Sequence, residues 1–161
     1  MAMGKVFWAA MAIMLVCPAA VRADAPWRLT RYYGEHLENH EPVTLDALRG
    51  HQALLAFWRI DCPPCRHELD TLPHIAQSHP DLPVRLVVMQ DNREVQPYLF
   101  DHAKGLAVWV ASGRMGDIFK SFDAPRTALP LSVFLKADGS VCDRHYGIIG
   151  SEQVDTWIKT C

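Results

Sequence analysis

The sequence has no apolar run of the roughly 20 residues that a membrane-spanning helix needs; its longest, Val6 to Val21, is 16 residues even on a generous count. It has no excess of basic residues, no internal repeat and no low-complexity tract. The short apolar run follows Lys5, and the small residue Ala23 with Val21 two before it suits a signal-peptidase cut, so residues 1–23 read as a secretory signal cleaved after Ala23. An uncleaved N-terminal membrane anchor is the alternative. Lipid attachment at Cys17 is disfavoured by Val16 before it and Pro18 after it. Removing 23 of 161 residues leaves 138, enough for one domain with a real core, residues 24–161. Of 16 basic and 18 acidic residues, the signal takes Lys5 and Arg22 and no acid, leaving 14 against 18 and a net charge near −4. That balance excludes nucleic acid or an anionic membrane as the main partner.

Cysteine is also scarce, five residues in all. Export implies an oxidising compartment, and the four cysteines of the domain (Cys62, Cys65, Cys142, Cys161) allow two bridges. Their unequal spacings suggest different tasks for the two pairs.

Strand-like runs cover 53–60, 84–90, 106–111, 131–135 and 140–146. The second and third are apolar rather than alternating, as suits strands buried on both faces of a parallel or mixed sheet. Helical patterns fall at 63–78, 92–103, 114–122 and, most clearly, 151–161. In the last, Ser151 is the expected N-cap, and Val154, Trp157, Ile158 and Cys161 form one face. The Asp-Gly turn in "KADGS" predicts a hairpin between the last two strands. The order β-α-β-α-β-α-β-β-α predicts an α/β domain, with a central mixed β-sheet flanked by helices on both faces.

"FWRIDCPPCRHEL" places Cys62 between a strand and a helix. Pro63 and Pro64 suit the first helical positions, where backbone N–H groups lack intrahelical partners anyway. Cys62 then sits at the positive end of the helix dipole, which favours its thiolate and makes it the attacking nucleophile. Cys65, one turn in and more covered, would resolve the mixed disulfide. A metal site and an inert structural bridge are the competing readings. The metal reading lacks further ligands at suitable spacing, since Cys142 and Cys161 lie far downstream and His67 points away from Cys65. His36, His40, His51, His74, His79, His102 and His145 show no ligand spacing and are expected at the surface, whereas Trp58, Trp109 and Trp157 are expected in the core.

From Pro42 to Trp157 the chain resembles the TlpA/ResA-like branch of the thioredoxin superfamily, exported thiol-disulfide oxidoreductases. The residues that carry this are "PVTLDALRGHQALLAFW" leading into "CPPCRHEL", then "ALPLSVFLKADGS" and "RHYGIIG". The resemblance implies a thioredoxin-like fold and no organic cofactor or metal. It implies exported protein substrates with thiols or disulfides, and a reductive role as in cytochrome c maturation or metal-centre assembly, with electrons from a membrane thiol reductase. A disulfide oxidase or isomerase, or a metal-binding module of the same fold, is the alternative. It makes Pro130 a cis-proline beside the cysteine pair, with Leu129 presenting backbone to an extended substrate; Asp61, Pro63 and Pro64 complete the expected substrate-facing set. Glu68, three residues after Cys65, is the expected proton-exchanging acid, its pKa raised by burial; the alternative is an exposed carboxylate near Arg66.

Four positions depart from the family's pattern. Asp61 replaces a tryptophan and sets a negative charge beside the would-be thiolate, with Arg59, Arg66 and His67 as partial compensation. Ala56 stands where thioredoxins proper carry a buried acid. Asp70 stands where many relatives have a helix proline, and Pro73 follows, so the kink or end of that helix should shift. In this fold the final helix follows the strand that holds Cys142, so a Cys142–Cys161 bridge is one expectation; two buried thiols or an auxiliary redox pair are the others.

Overall fold

The computed structural model describes residues 26–31, 41–90, 95–103 and 105–161. The signal expected at 1–23, His36, His40 and the start of the helix expected at 92–103 lie outside the described residues. Among the described residues, seven strands form one mixed sheet: β1 (Arg28–Arg31), β2 (Glu41–Val43), β3 (Ala53–Trp58), β4 (Val84–Val88), β5 (Ala107–Ser112), β6 (Leu131–Leu135) and β7 (Val141–Tyr146). The order across it is β2-β1-β5-β4-β3-β6-β7. The apolar runs of β3, β4 and β5 pair in parallel, while β6 runs antiparallel to β3 and to its hairpin partner β7.

Side chains alternate across a strand, so each apolar strand fills two cores. On β3, Leu54, Ala56 and Trp58 enter one cluster with Leu72 and Ile75 of α2 (Leu72–Ser78), Leu99 of α3 (Val95–His102) and Trp157 of α5 (Ser151–Thr160). Leu55 and Phe57 enter the other, with Leu45 and Leu48 of a 3-10 turn and Ile118 and Phe119 of α4 (Met115–Ser121). Helices therefore cover both faces, and Trp58, Trp109 and Trp157 are all buried.

The strand register positions the functional end. Phe57 pairs with Leu131 and Trp58 with Val88, so the loops after β3 and β4 and the loop before β6 meet at one end of the sheet. The Cys-X-X-Cys segment leaves from this end.

Three expectations need correction. The helix expected over 63–78 is two helices, α1 (Pro63–Glu68) and α2. Inside a continuous helix Pro73 could not donate its backbone bond and would collide with the carbonyl of Leu69, so the chain turns at 69–71 and Pro73 enters the first turn of α2. The N-cap of α5 is Gly150, not Ser151; Ser151 is already helical, and the Gly150 carbonyl accepts from Val154 N–H at 3.3 Å. Of the described histidines, His51, His74 and His102 are exposed, but His79 and His145 are half-buried; His79 Nε2 lies 3.2 Å from Asp155 Oδ1. The short strands β1 and β2, the latter at the sheet edge, escaped the sequence reading because of their seven residues only Leu29 is buried.

Cys142 on β7 and Cys161 after α5 are joined in a disulfide with Cα atoms 5.8 Å apart. The bridge closes a span of 19 residues, for which the loop-entropy model gives about 3 kcal/mol. The double variant Cys142→Ala/Cys161→Ala should lose about that much stability in denaturant unfolding while keeping its Cys62/Cys65 chemistry.

Candidate active site

After β3 the chain turns through residues 59–62, and Cys62 N–H donates to the Arg59 carbonyl at 3.4 Å. Ile60 N–H donates to Gln90 Oε1 at 2.8 Å, which fastens this turn to the end of β4. Pro63 and Pro64 open α1, both exposed, leaving fewer orphan N–H groups at its start. Cys62 is the N-cap, and its Sγ accepts from Cys65 N–H at 3.3 Å. Cys62 and Cys65 are disulfide-bonded, with Cα atoms 5.2 Å apart. Their exposure differs: Cys62 is partly open and Cys65 is 0% exposed. Trp58 Nε1–H donates to the Cys65 carbonyl at 2.7 Å, tying α1 to the sheet, and its ring stacks on Tyr98 with centroids 5.8 Å apart.

The Leu129–Pro130 peptide bond is cis. Pro130 is buried, and its carbonyl accepts from Gly147 N–H at 3.0 Å. Leu129 is half-buried against both cores. The segment before it is held by Tyr146, whose hydroxyl accepts from Arg126 N–H at 3.1 Å and donates to the Arg126 carbonyl at 2.9 Å. Ile148, 45% exposed, lies one residue beyond Gly147 and adds an apolar side chain to this end.

Glu68 is 0% exposed. Its Oε1 accepts from Ile149 N–H at 3.3 Å and from the Ser132 hydroxyl at 3.5 Å, while Oε2 has no partner among the described residues. Burial penalises the carboxylate and pushes its pKa from 4.5 up to about 7, with the two hydrogen bonds pulling the other way. A carboxyl one helical turn from Cys65 that titrates near neutrality can give and take a proton under ordinary conditions. The exposed-carboxylate alternative for Glu68 does not describe this structure.

Asp61 is exposed and bound by Arg59 through two parallel hydrogen bonds, Nε to Oδ1 and Nη2 to Oδ2, both 2.8 Å. The Arg59 hydrogen bonds hold the Asp61 carboxyl below its usual range. Among the described residues no three His, Cys, Asp or Glu side chains gather as metal ligands.

The Redoxin family model matches residues 22–156. The chain belongs to the Redoxin family. It is a thiol-disulfide oxidoreductase of the thioredoxin-like fold with a Cys62–Cys65 disulfide. A similar curated protein is the sporulation thiol-disulfide oxidoreductase A of Bacillus subtilis, 25% identical over 69% of this chain and 68% of the relative. Among solved structures, StoA from Bacillus subtilis superposes with a TM-score of 0.62 at 20% identity, covering 85% of this chain and 99% of that one. The exposed lipoprotein thioredoxin of Streptococcus pneumoniae gives 0.62 at 20% identity over 75% and 93% of the two chains.

In this Redoxin-family chain the sequence reading missed four contributors. Ser132 and the Ile149 amide hold Glu68, the Trp58 indole anchors Cys65, and Gln90 fixes the turn before Cys62. Ser132 had a signal, as the single polar residue in "LSVFL". The other three contacts join segments distant in sequence or use backbone groups, and carry no local signature.

Proposed function

We propose that this chain is an exported reductant of protein disulfides. Cys62 attacks and Cys65 resolves, with Glu68 moving protons. The observation that carries exchange in this order is the asymmetry of the pair, a partly open Cys62 and a fully covered Cys65 one turn away, with buried Glu68 three residues further along α1.

In the reduced protein the Cys65 amide supports a thiolate at Cys62 through the same N–H that reaches Sγ in the disulfide state. The thiolate attacks one sulfur of a substrate disulfide; the substrate S–S bond breaks, a mixed disulfide forms, and the first substrate sulfur leaves as a thiolate that takes a proton. Cys65 passes its proton to the Glu68 carboxylate and attacks the Cys62 sulfur. The mixed disulfide breaks, Cys62–Cys65 closes, and the second substrate sulfur leaves as a thiolate that takes up the proton Glu68 releases. Two electrons pass from the protein to the substrate. Leu129 offers backbone groups to an extended substrate segment, and Pro130, Pro63, Pro64 and Asp61 bound the groove.

Export rests on the signal-like residues 1–23 and on relatives such as the exposed lipoprotein thioredoxin. Clients are then exported proteins, as in cytochrome c maturation or metal-centre assembly, and a membrane thiol reductase returns the electrons.

Direction is decided by the reduction potential of the pair. Equilibration of the protein against glutathione and dithiothreitol should give a value below about −200 mV, the range of cellular reductants. A value approaching about −120 mV would make the protein an oxidase and overturn the reductant reading.

A further inference from the structure

A carboxylate immediately before an attacking cysteine opposes the thiolate, and Asp61 holds that position. Its partner Arg59 grips it through two hydrogen bonds, both 2.8 Å. The pair belongs to the turn that presents Cys62. The Cys62 N–H closes this turn onto the Arg59 carbonyl at 3.4 Å, and Gln90 fixes its middle at Ile60. Both charges are therefore carried on a braced segment within three residues of the sulfur.

Stability does not account for this pair. Its side chains are 33% and 57% exposed, and partners so open to water add little to folding. The two residues are two apart in one turn, so they join no separate elements. What remains is their field at Cys62.

We propose that Arg59 and Asp61 form a matched charge pair that sets how readily Cys62 ionises. Arg59 is the positioning residue that keeps the Asp61 carboxylate from opposing the thiolate. Removing the Asp61 charge leaves the Arg59 cation unbalanced, which favours the thiolate and, by stabilising the reduced form, makes the pair more oxidising. Removing the Arg59 charge leaves Asp61 unbalanced and does the reverse. Removing both returns the site toward neutrality. Among the described residues, the other titratable groups on the elements bounding this end include Arg66, His67 and Glu68 on α1, Tyr98 on α3, Arg126 before the cis bond, and Asp143, Arg144, His145 and Tyr146 on β7. All of them are unchanged across the variants, so their contributions cancel in the comparison.

The test is a charge cycle on the full chain with Asp61→Asn, Arg59→Gln and the double variant. Each is reduced at Cys62/Cys65, and the pH dependence of iodoacetamide alkylation at Cys62 is read by peptide mass. At low salt Asp61→Asn should move the midpoint down by roughly one pH unit and Arg59→Gln up by a similar amount. The double variant should return close to the unmodified protein, and both single shifts should shrink as salt screens these exposed charges. Glutathione equilibria should shift in the matching directions. If Arg59→Gln fails to fold, Arg59→Lys, which keeps the charge but loses the planar fork, should stay near the unmodified midpoint.

Single shifts of the same sign, no shift in either, or a double variant that stays displaced would overturn the charge-pair proposal. The proposal rests on Cys62 as the attacking sulfur. Failure of that reading shows separately, as exchange that survives Cys62→Ser, whereas failure of the charge pair leaves exchange dependent on Cys62 and the cycle flat.

Discussion

Cys62→Ser should abolish disulfide exchange, with a loss on the order of a thousandfold or more, as expected when the attacking nucleophile is removed. The reason is geometric. Cys65 is fully covered, with its carbonyl held by the Trp58 indole, so it offers no second route of attack to a protein substrate. Cys65→Ser should behave differently: first attack proceeds and turnover stops, because the resolving sulfur is missing. The Cys142→Ala/Cys161→Ala variant should exchange at the unmodified rate, since that bridge lies between β7 and the end of α5. Stopped-flow reduction of a disulfide peptide by each variant checks all three. Equal rates of first attack in the Cys62 and Cys65 variants would contradict the assigned order of attack.

Glu68→Gln should change both stability and rate. Below pH 4.5 Glu68 is protonated in the folded and unfolded chains alike. As pH rises from 4.5 toward 7 the unfolded chain releases the proton while the folded chain keeps it, so stability falls through this window and levels off above about 7. This group alone accounts for a loss of about 3 kcal/mol, as an order of magnitude. Glutamine stays neutral at every pH and retains a carbonyl oxygen for the Ser132 and Ile149 donors. The variant should therefore lose that pH slope in urea unfolding, and above pH 7 it should be the more stable protein. It should also resolve the mixed disulfide roughly a hundredfold more slowly, the usual scale for losing a positioned general base. An unchanged slope would show that Glu68 ionises normally, and an unchanged rate that Cys65 loses its proton elsewhere.

These effects depend unevenly on what the sequence discloses. The apolar runs of β3 to β6, the Asp-Gly hairpin and the Cys-Pro-Pro-Cys turn are written in local residue types, because burial on both faces and helix initiation constrain composition directly. The break between α1 and α2 was half legible: Pro73 announces it, but where the turn closes depends on how Leu69 and Leu72 reach the core. Local residue types leave the burial of Glu68 open between two readings. Its helix position is compatible with either solvent or core, and only the approach of Ser132 on β6 and of Ile149 before α5 decides it. The electrostatic consequence of Asp61 was hidden, since it turns on the Arg59 rotamer. The contrast is physical: patterning records which face is apolar, whereas polar contacts between distant segments leave no periodic trace.

The most direct measurement is to capture the covalent intermediate. Reduced Cys65→Ser protein is mixed with a disulfide-containing protein substrate, quenched with acid and digested, and the cross-linked peptide is identified by mass. The substrate cysteine should be found joined to Cys62 and to no other cysteine of the chain. A cross-link through Cys142 or Cys161, or an absence of any adduct while Cys62 alkylates freely, would contradict exchange through the Cys62/Cys65 pair.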